Sequence, residues 1–514
     1  ANNMGPTVGA NALTMGGAIT ISAVDTILGT GGAGIYATSS GGDITVEGSG
    51  LVGGITGTYG NGIYADAASG NINIGTMTAI GNVTGSYDGI YADTSGAANI
   101  SITTAGTVTG TTHIGIYAVT DTGNVTINAG DAVRGGFTGI EAETSGTGST
   151  TIVATDVRGD ANLGGYTPSV GIYARGGTGG VSVTSTGTVF GASGGIVTLS
   201  TGDITVNANS VTGVDIDGVY ARTNGPTGNI KIDVTSATSD GYGIRAIQDS
   251  SGYTSITAGK VSSKNTDGIY VNAGRYYGST ATNVSVTTTG AVTAGDDGIE
   301  VRNFGLGTTT LSVASVDASD DGIEIDTGRS TTDTTVTATG LVSGVNDGID
   351  VDHYGTGAVS ITTAAVTGTT EEGIYARTSG SRLSIDSSAG AVSGGTYGVD
   401  ARNEGTGAAI IIVGQVDGLS KDGIRATNGV RADPMGEPMF PIKGGTDLTI
   451  AATGAVTGAI SGIDAANDGM GFTSITATDV TGTASNGITA SNGVMTTNLD
   501  ITTTGATTGG TNGI

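Results

Sequence analysis

The sequence contains no cysteine and no tryptophan, and only two of its 514 residues are histidine. Without cysteine the chain can form no disulfide, no thiolate nucleophile and no Cys-ligated zinc site. With His113 and His353 as the only imidazoles, a Ser-His-Asp triad or a His-rich metal site has almost nothing to draw on. No apolar run approaches the roughly 18 residues of a membrane-spanning helix, so no transmembrane segment is predicted.

Basic residues are also few, 18 against 45 acidic ones, and the formal net charge is −27. Binding of nucleic acid or anionic lipid depends on clusters of Lys and Arg. The charge balance therefore predicts no nucleic-acid partner. Aromatic residues make up 4% of the chain, which is thin for an ordinary globular core.

Glycine is abundant, with 97 residues, but it lacks the three-residue period of collagen. Instead, a Gly-Ile-x-Ala block recurs along the whole chain, mostly at intervals of about 23 to 28 residues. The glycines that open the blocks are Gly34, Gly62, Gly89, Gly115, Gly139, Gly171, Gly195, Gly218, Gly243, Gly268, Gly298, Gly322, Gly348, Gly373, Gly398, Gly423, Gly462, Gly487 and Gly513.

Each repeat contains three short pieces in which apolar and polar residues alternate. The residue after the block glycine is always Ile or Val, whereas the next residue varies freely. This two-residue period is typical of a half-buried strand. We therefore predict that Ile90, Ile269 and Ile374 point into a core.

Three strands closing every 25 or so residues predict an all-β fold, a right-handed parallel β-helix (solenoid) of about 19 rungs with three short strands per rung. Residues 1–33 are expected to form an N-terminal first rung and residues 34–514 a continuous rod. Longer loops are expected near 150–170, 272–283 and 428–444, the last containing half of the prolines. A surface loop and a binding loop remain alternatives for this last segment.

Acidic residues recur at the block glycines in the second half of the chain. Asp297, Asp321 and Asp347 each precede such a glycine, and Glu324 and Asp350 occupy the next outward position. Stacked like charges repel one another, so the acids are either solvated Asp-Gly turns or ligands that share calcium ions. These five residues are the candidate surface calcium site, and no other cofactor is predicted.

Two features suggest adhesion. An outward aromatic ladder is predicted on four successive rungs, and an Arg-Gly-Asp tripeptide lies beside the first long rung. Cross-strand stabilisation of the sheet, for the tyrosines, and chance, for the tripeptide, remain the alternatives. The candidate adhesion residues are Tyr36, Tyr64, Tyr91 and Tyr117, together with Arg158, Gly159 and Asp160.

No catalytic residue is predicted. A polysaccharide-active enzyme would use a singular pair of carboxylates, whereas the acids here recur rung after rung. Outward Ser and Thr are plentiful on the second strand, but they do not form the unbroken two-column Thr-x-Thr grid of an ice-binding face. A polysaccharide-active or ice-binding β-helix is accordingly the less favoured hypothesis.

The recurring G-I-Y-A, N-I-T-I and G-x-V-T-G blocks, which cover residues 20–514, resemble the passenger region of bacterial autotransporters and related filamentous surface adhesins. The resemblance implies a right-handed β-helical stalk displayed outside the cell and carries no catalytic residue over. We expect a non-enzymatic, extracellular structural or adhesive rod at a bacterial surface. Its expected partner is a host, abiotic or neighbouring-cell surface, glycan included.

Alternation reaches almost to both ends of the sequence, and no capping helix is evident. Either further residues of the same polypeptide continue the rod, or rods associate end to end as subunits of an extracellular filament, surface layer or sheath.

Overall fold

A computed structural model describes residues 8–23, 26–48, 54–160, 169–274, 280–429 and 444–514. These residues form a parallel β-solenoid of about 19 turns, called rungs below, and contain no helix. The predicted all-β class and parallel β-helix architecture are confirmed. Within the described ranges no apolar helix is long enough to cross a bilayer. The chain divides into two compact units, Ala1–Gly252 (unit 1) and Tyr253–Ile514 (unit 2).

In unit 1 a rung consists of a first, a second and a third strand, each hydrogen-bonded to the equivalent strand of the next rung. The first strands are Ala10–Thr14, Ile35–Ser39, Ile63–Ala67, Ile90–Thr94, Ile116–Thr120, Ile140–Thr144, Val170–Gly176, Gly194–Ser200, Val219–Thr223 and Ile244–Gln248. The second strands are Ile19–Ala23, Ile44–Gly48, Ile72–Ile74, Ile100–Thr104, Val125–Ala129 and Thr150–Ala154. The third strands are Ile27–Gly29, Ile55–Gly57, Val83–Gly85, Val108–Gly110, Val133–Gly135 and Val157–Gly159.

Unit 2 repeats the same order. Its first strands are Ile269–Ala273, Ile299–Asn303, Ile323–Thr327, Ile349–His353, Ile374–Thr378, Val399–Asn403, Ile424–Asn428, Ile463–Asn467 and Ile488–Asn492. The second strands are Val284–Thr288, Thr309–Val313, Thr334–Ala338, Ala358–Thr363, Arg382–Ser387, Ala409–Val413, Leu448–Ala452, Thr473–Ala477 and Leu499–Thr503. The third strands are Ala291–Ala294, Ser315–Ala318, Val342–Gly344, Val366–Gly368, Val392–Gly394, Val416–Gly418, Val456–Gly458, Val480–Gly482 and Thr507–Gly509.

Some rungs depart from the three-strand pattern, because their second and third strands run together. The merged strands are Val181–Gly191, Ile204–Gly213 and Ile230–Ser239 in unit 1 and Thr254–Ser263 in unit 2. In these strands the ladder of hydrogen bonds continues from the second-strand part into the third-strand part. The pairing of Val181–Gly191 with Ile204–Gly213 has a register shift between Ser185 and Thr188.

The core consists of columns of identical or similar side chains in register. Ile63 pairs with Ile90, and Ile90 with Ile116. Ile90, Ile269 and Ile374 are all 0% exposed, so their predicted inward orientation is confirmed. Small inward residues such as Ala92 allow the three strands to approach closely, which explains how the core fills with so few aromatic side chains.

Glycine is required at the corner between the third strand and the next first strand. A Cβ atom on Gly89 would lie 2.6 Å from the carbonyl oxygen of Gly115, and one on Gly110 would lie 1.9 Å from that of Ile114. No side chain fits at such distances. The block glycine therefore marks close backbone approach between rungs, and the glycine that closes the third strand marks close approach within the corner itself.

Parts of the three predicted longer loops, 161–168, 275–279 and 430–443, lie outside the described residues. Within the first predicted loop, Thr150–Ala154 and Val157–Gly159 are strands. The segment 8–33 contains the strands Ala10–Thr14, Ile19–Ala23 and Ile27–Gly29. Ala10 pairs with Ile35, so Gly9 is the block glycine of this rung. Gly9 does not belong to the predicted block glycines, because Ala rather than Ile follows it.

A buried polar column lies at the end of the first strand. In unit 2, Asn403 Nδ2 donates to Asn428 Oδ1 at 2.7 Å, and Asn428 Nδ2 donates to Asn467 Oδ1 at 3.1 Å. His353 occupies the same position two rungs before Asn403 and is 1% exposed, with Nδ1 2.9 Å from Thr327 Oγ1. Burial lowers the pKa of His353 to about 4. This column stabilises the corner between the first and second strands by hydrogen bonds that run from rung to rung.

Candidate functional site

The first strand carries most of the unusual surface chemistry. The residue after the inward Ile points outward and stacks on the equivalent residue of the next rung, because the strands pair in parallel and in register. In unit 1 this column contains the predicted tyrosines, and in unit 2 it contains the predicted Glu324 and Asp350.

The tyrosine ladder consists of Tyr36, Tyr64, Tyr91 and Tyr117. Successive ring centroids lie 4.8, 4.8 and 4.9 Å apart, with interplanar angles of 5°, 2° and 11°. The two inner rings, Tyr64 and Tyr91, therefore have a neighbouring ring on both faces. Sugar binding by ring stacking needs a free face, so the ladder presents ring edges and hydroxyl groups instead.

Acidic side chains flank the ladder. The hydroxyl of Tyr64 donates to Asp66 Oδ2 at 3.2 Å, and that of Tyr91 donates to Asp93 Oδ2 at 3.1 Å. Burial and the neighbouring Asp66 raise the pKa of Tyr64 to about 12. The ladder is thus a half-buried row of aromatic rings with an anionic border.

A second aromatic stack lies beside the ladder, at the corner before the first strand. Tyr87 stacks on His113 at 4.3 Å, and His113 faces Phe137 at 6.2 Å. His113 Nδ1 lies 2.6 Å from Oδ1 of Asp88, which is 1% exposed. Sequence reasoning missed this stack, although each aromatic residue precedes its block glycine by two positions.

In unit 2 the aspartates before the block glycines form a ladder of their own. Asp297 Oδ1 accepts the backbone N–H of Asp321 at 3.0 Å, and Asp321 Oδ1 accepts that of Asp347 at 2.8 Å. Asp347 Oδ1 in turn accepts the N–H of Glu372 at 2.5 Å. One oxygen of each carboxylate therefore fixes the start of the following rung.

Some of these acids are buried, because each rung covers the next, whereas Asp321, Glu324 and Asp350 are half-buried. Asp297 is 8%, Asp347 6% and Glu300 5% exposed. Burial and the charge of Glu300 raise the pKa of Glu324 to about 8. Burial and the charge of Asp352 likewise raise the pKa of Asp350 to about 8, and burial and Glu372 that of Asp347 to about 9.

The structure brings three of the five predicted metal ligands together. In the triad of Asp321, Asp347 and Asp350, one carboxylate oxygen of each residue lies within 4.8 Å of the others. Asp297 instead approaches Asp267 and Glu300, and Glu324 belongs to none of the acidic triads found in the described residues. Such carboxylate groups have the chemistry that calcium prefers; calcium binding stays a prediction.

Beyond Asp350 the column changes from acids to acid–arginine–tyrosine groups. Asp400 is 0% exposed and accepts hydrogen bonds from Arg402 Nε at 3.2 Å and Arg425 Nε at 2.9 Å. The Arg425 guanidinium lies 4.0 Å from the ring centroid of Tyr397. Two arginines therefore compensate the buried charge of Asp400. Among the acids between Asp297 and Asp350, Glu300 is paired with Arg302.

The Arg-Gly-Asp tripeptide lies at the end of the third strand Val157–Gly159. Arg158 forms an ion pair with Asp160, and its guanidinium lies 4.3 Å from the centroid of the Phe190 ring. Both charged side chains are about half exposed, at 51% and 44%. They are bound to each other, so a partner would have to compete with this ion pair. A role in adhesion stays a prediction.

One shallow pocket of about 420 Å³ lies in unit 1, among Thr178, Asp203, Asn229 and neighbouring small residues. Asp203 Oδ1 accepts hydrogen bonds from Asn229 at 2.8 Å (backbone N–H) and 3.0 Å (side chain). Its carboxylate thus serves the same rung-to-rung role as the aspartates of unit 2, and no second acid lines this pocket.

Comparison with protein-family models, with curated proteins and with solved structures finds no match to this chain.

Proposed function

We propose that the protein is a non-enzymatic, extracellular structural or adhesive scaffold at a bacterial surface. One observation carries the proposal: its strongly perturbed carboxyl groups recur at the same position of successive rungs. Perturbed acids that mark a catalytic centre form a singular constellation with separate roles. A repeated column instead suits a surface that presents the same chemistry many times.

The partner in this proposal is a host, abiotic or neighbouring-cell surface, glycans included. Ring edges, hydroxyl groups and carboxylates of the tyrosine ladder offer hydrogen bonds to such a surface. Repetition compensates for weak single contacts, since many of them form at once. The likeness of the repeats to autotransporter passengers and filamentous adhesins supports the bacterial setting, and a net charge of −27 keeps such chains apart in solution.

The test combines adhesion with turnover. Immobilised protein is offered bacterial cells, host cells and a panel of glycans, and the same preparation is incubated with acidic and neutral polysaccharides. Adhesion without chain cleavage is expected. Cleavage that disappears in Glu324→Gln or Asp350→Asn would establish an enzyme and overturn the proposal. Electron micrographs of the same samples test the filament alternative, which predicts fibres at micromolar concentration.

A further inference from the structure

The second strands of five successive rungs in unit 2 carry only hydroxyl side chains at both outward positions. They belong to the strands that begin at Thr254, Val284, Thr309, Thr334 and Ala358. We call this set the hydroxyl grid. Its members are Ser255, Thr257, Ser285, Thr287, Thr310, Ser312, Thr335, Thr337, Ser360 and Thr362.

The grid is regular in two directions. Thr287 pairs with Thr257 and with Ser312, and Thr337 pairs with Ser312 and with Thr362, without a register shift. Neighbouring rungs are therefore about 4.8 Å apart, and the two columns about 6.6 Å apart. Sequence reasoning missed the grid because it required threonine alone, whereas serine supplies four of the ten hydroxyl groups.

The hydroxyl groups are available to a partner. In the described part of unit 2 none of the ten makes a side-chain hydrogen bond to the protein, whereas hydroxyls at the corners do, as in Thr331 Oγ1 to the carbonyl oxygen of Asn303 at 3.0 Å. Each grid hydroxyl offers one donor and two acceptor positions. The Thr residues add methyl groups at fixed positions on the same backbone.

The grid is also uncharged, in a chain whose net charge is −27. It ends where Thr362 pairs with Asp386. A charged partner would find no counter-charge here, and a single hydroxyl–ligand hydrogen bond in water contributes only about 1 kcal/mol. Affinity therefore requires a neutral partner that engages many hydroxyl groups simultaneously and at their own spacing.

We propose that the hydroxyl grid binds the surface of an ordered water lattice, that is, ice. A lattice repeats hydrogen-bonding positions in two dimensions, as the grid does, and it is neutral. Single glycan chains are usually held by aromatic rings and by a few convergent polar groups, and the ten grid positions include no ring, carboxamide or carboxylate. This inference is independent of the adhesive role proposed above.

The test uses the whole chain and measures thermal hysteresis, the gap between melting and freezing temperatures, together with retention of the protein in slowly grown ice. The disrupting variant is Thr335→Lys with Thr337→Lys, at the centre of the grid. Charged side chains occur naturally at both equivalent slots in unit 1, where Lys231 fills the first outward position and Asp233 the second. The matched control is Thr449→Lys with Thr476→Lys, on second strands outside the grid.

The wild type and the matched control are expected to show hysteresis and to enter ice, and the disrupting variant to lose most of both. Circular dichroism and the thermal midpoint verify that all three are folded. Absence of hysteresis and of ice retention in the wild type overturns the proposal. Equal losses in both variants also overturn it, as does binding to cellulose or chitin particles with the same dependence on Thr335 and Thr337 but no effect on ice.

Discussion

The tyrosine ladder of unit 1 and the acidic column of unit 2, which consists of Glu300, Glu324 and Asp350, occupy the same position of the repeat, yet the first stacks favourably and the second brings like charges together. Tyr64 and Tyr91 satisfy each other by stacking at 4.8 Å. Glu324 and Asp350 stack in the same register, but each raises the cost of ionising the other. The backbone is therefore the same whether the outward column is aromatic or acidic. Like charges in the column shift the pKa values of the acids instead of changing the backbone.

The largest expected loss of stability is the same in both regions, because the first strand of each has an inward Ile beside the outward residue. Replacing Ile90, beside Tyr91, or Ile349, beside Asp350, by Asp places a charge at a 0% exposed position. Each substitution should lower the free energy of unfolding by about 3 to 5 kcal/mol, measured by urea denaturation. Ile410→Asp, at an outward position of a second strand, is the control and should cost little. Equal losses at all three sites would contradict the inward register.

The next effect separates the two regions by pH. Glu324, Asp347 and Asp350 have folded-state pKa values of about 8 to 9, above those of the unfolded chain. Their contribution to stability is therefore complete below about pH 4 and is lost as the pH rises to 9. Between these pH values we expect the free energy of opening of residues 299–352 to fall by roughly 2 to 3 kcal/mol. Hydrogen exchange, corrected for intrinsic rates, measures it by region.

Residues 63–120, which carry three tyrosines of the ladder, should lose protection from hydrogen exchange only at a higher pH. The pKa values of Tyr64 and Tyr117 are raised to about 12, so their stabilisation persists to about pH 10 and is lost as the pH approaches 12. A common midpoint for both regions would refute this distinction. Added calcium that removes the loss at pH 9 would support the predicted calcium site.

A smaller effect of opposite sign comes from His353, at the end of the strand that carries Asp350. Its folded-state pKa of about 4 lies below that of the unfolded chain, so its contribution is present above about pH 6.5 and is lost as the pH falls through 4. His353→Asn should gain about 2 kcal/mol at pH 4 and change little at pH 7. The natural Asn403 in the same column shows that asparagine fits. Thermal melts at the two pH values make the comparison.

Neutralising one acid tests whether like charges dominate the column. Asp350 Oδ1 is buried without a hydrogen-bond partner, so Asp350→Asn should stabilise the protein by about 1 kcal/mol at pH 9 and have little effect at pH 5. Asp400→Asn is the matched control, because Asp400 is paired with two arginines. It should destabilise instead, and the same sign for both variants would disprove this reasoning.

The smallest effect concerns stacking. Tyr91→Leu removes two ring contacts while keeping an apolar side chain, and should cost about 1 kcal/mol. Tyr59→Leu, at a 79% exposed residue outside the ladder, should be neutral. Chemical denaturation monitored by circular dichroism resolves the difference.

Much of the fold could be predicted because it depends on two regularities of the sequence, the alternation of apolar and polar residues within a strand and the spacing of the block glycines. Alternation identifies Ile90 and its equivalents as inward residues, and one glycine per repeat counts the rungs. Strand merging between Val181 and Ser263 was missed, since it depends on how sharply the backbone bends at a corner and not on which residues alternate.

The candidate sites were predicted less completely, because their properties arise between rungs. The sequence places Asp297, Asp321 and Asp347 in one column, but the burial of Asp297 and Asp347 follows from coverage by the next rung. Likewise, Tyr87, His113 and Phe137 are separated by about a rung each, and only the register brings their rings together.

The aspartate ladder before the block glycines has an evolutionary consequence. Because Asp297, Asp321 and Asp347 each accept a backbone N–H of the following rung, these successive rungs each carry their own joint to the next one. Unequal recombination between the repeated gene segments can then delete or duplicate a whole rung, and the flanking joints close on each other as before. In this part of the chain, a change of one repeat would therefore change the length of the gene and the number of stacked carboxyl groups together, without a new fold.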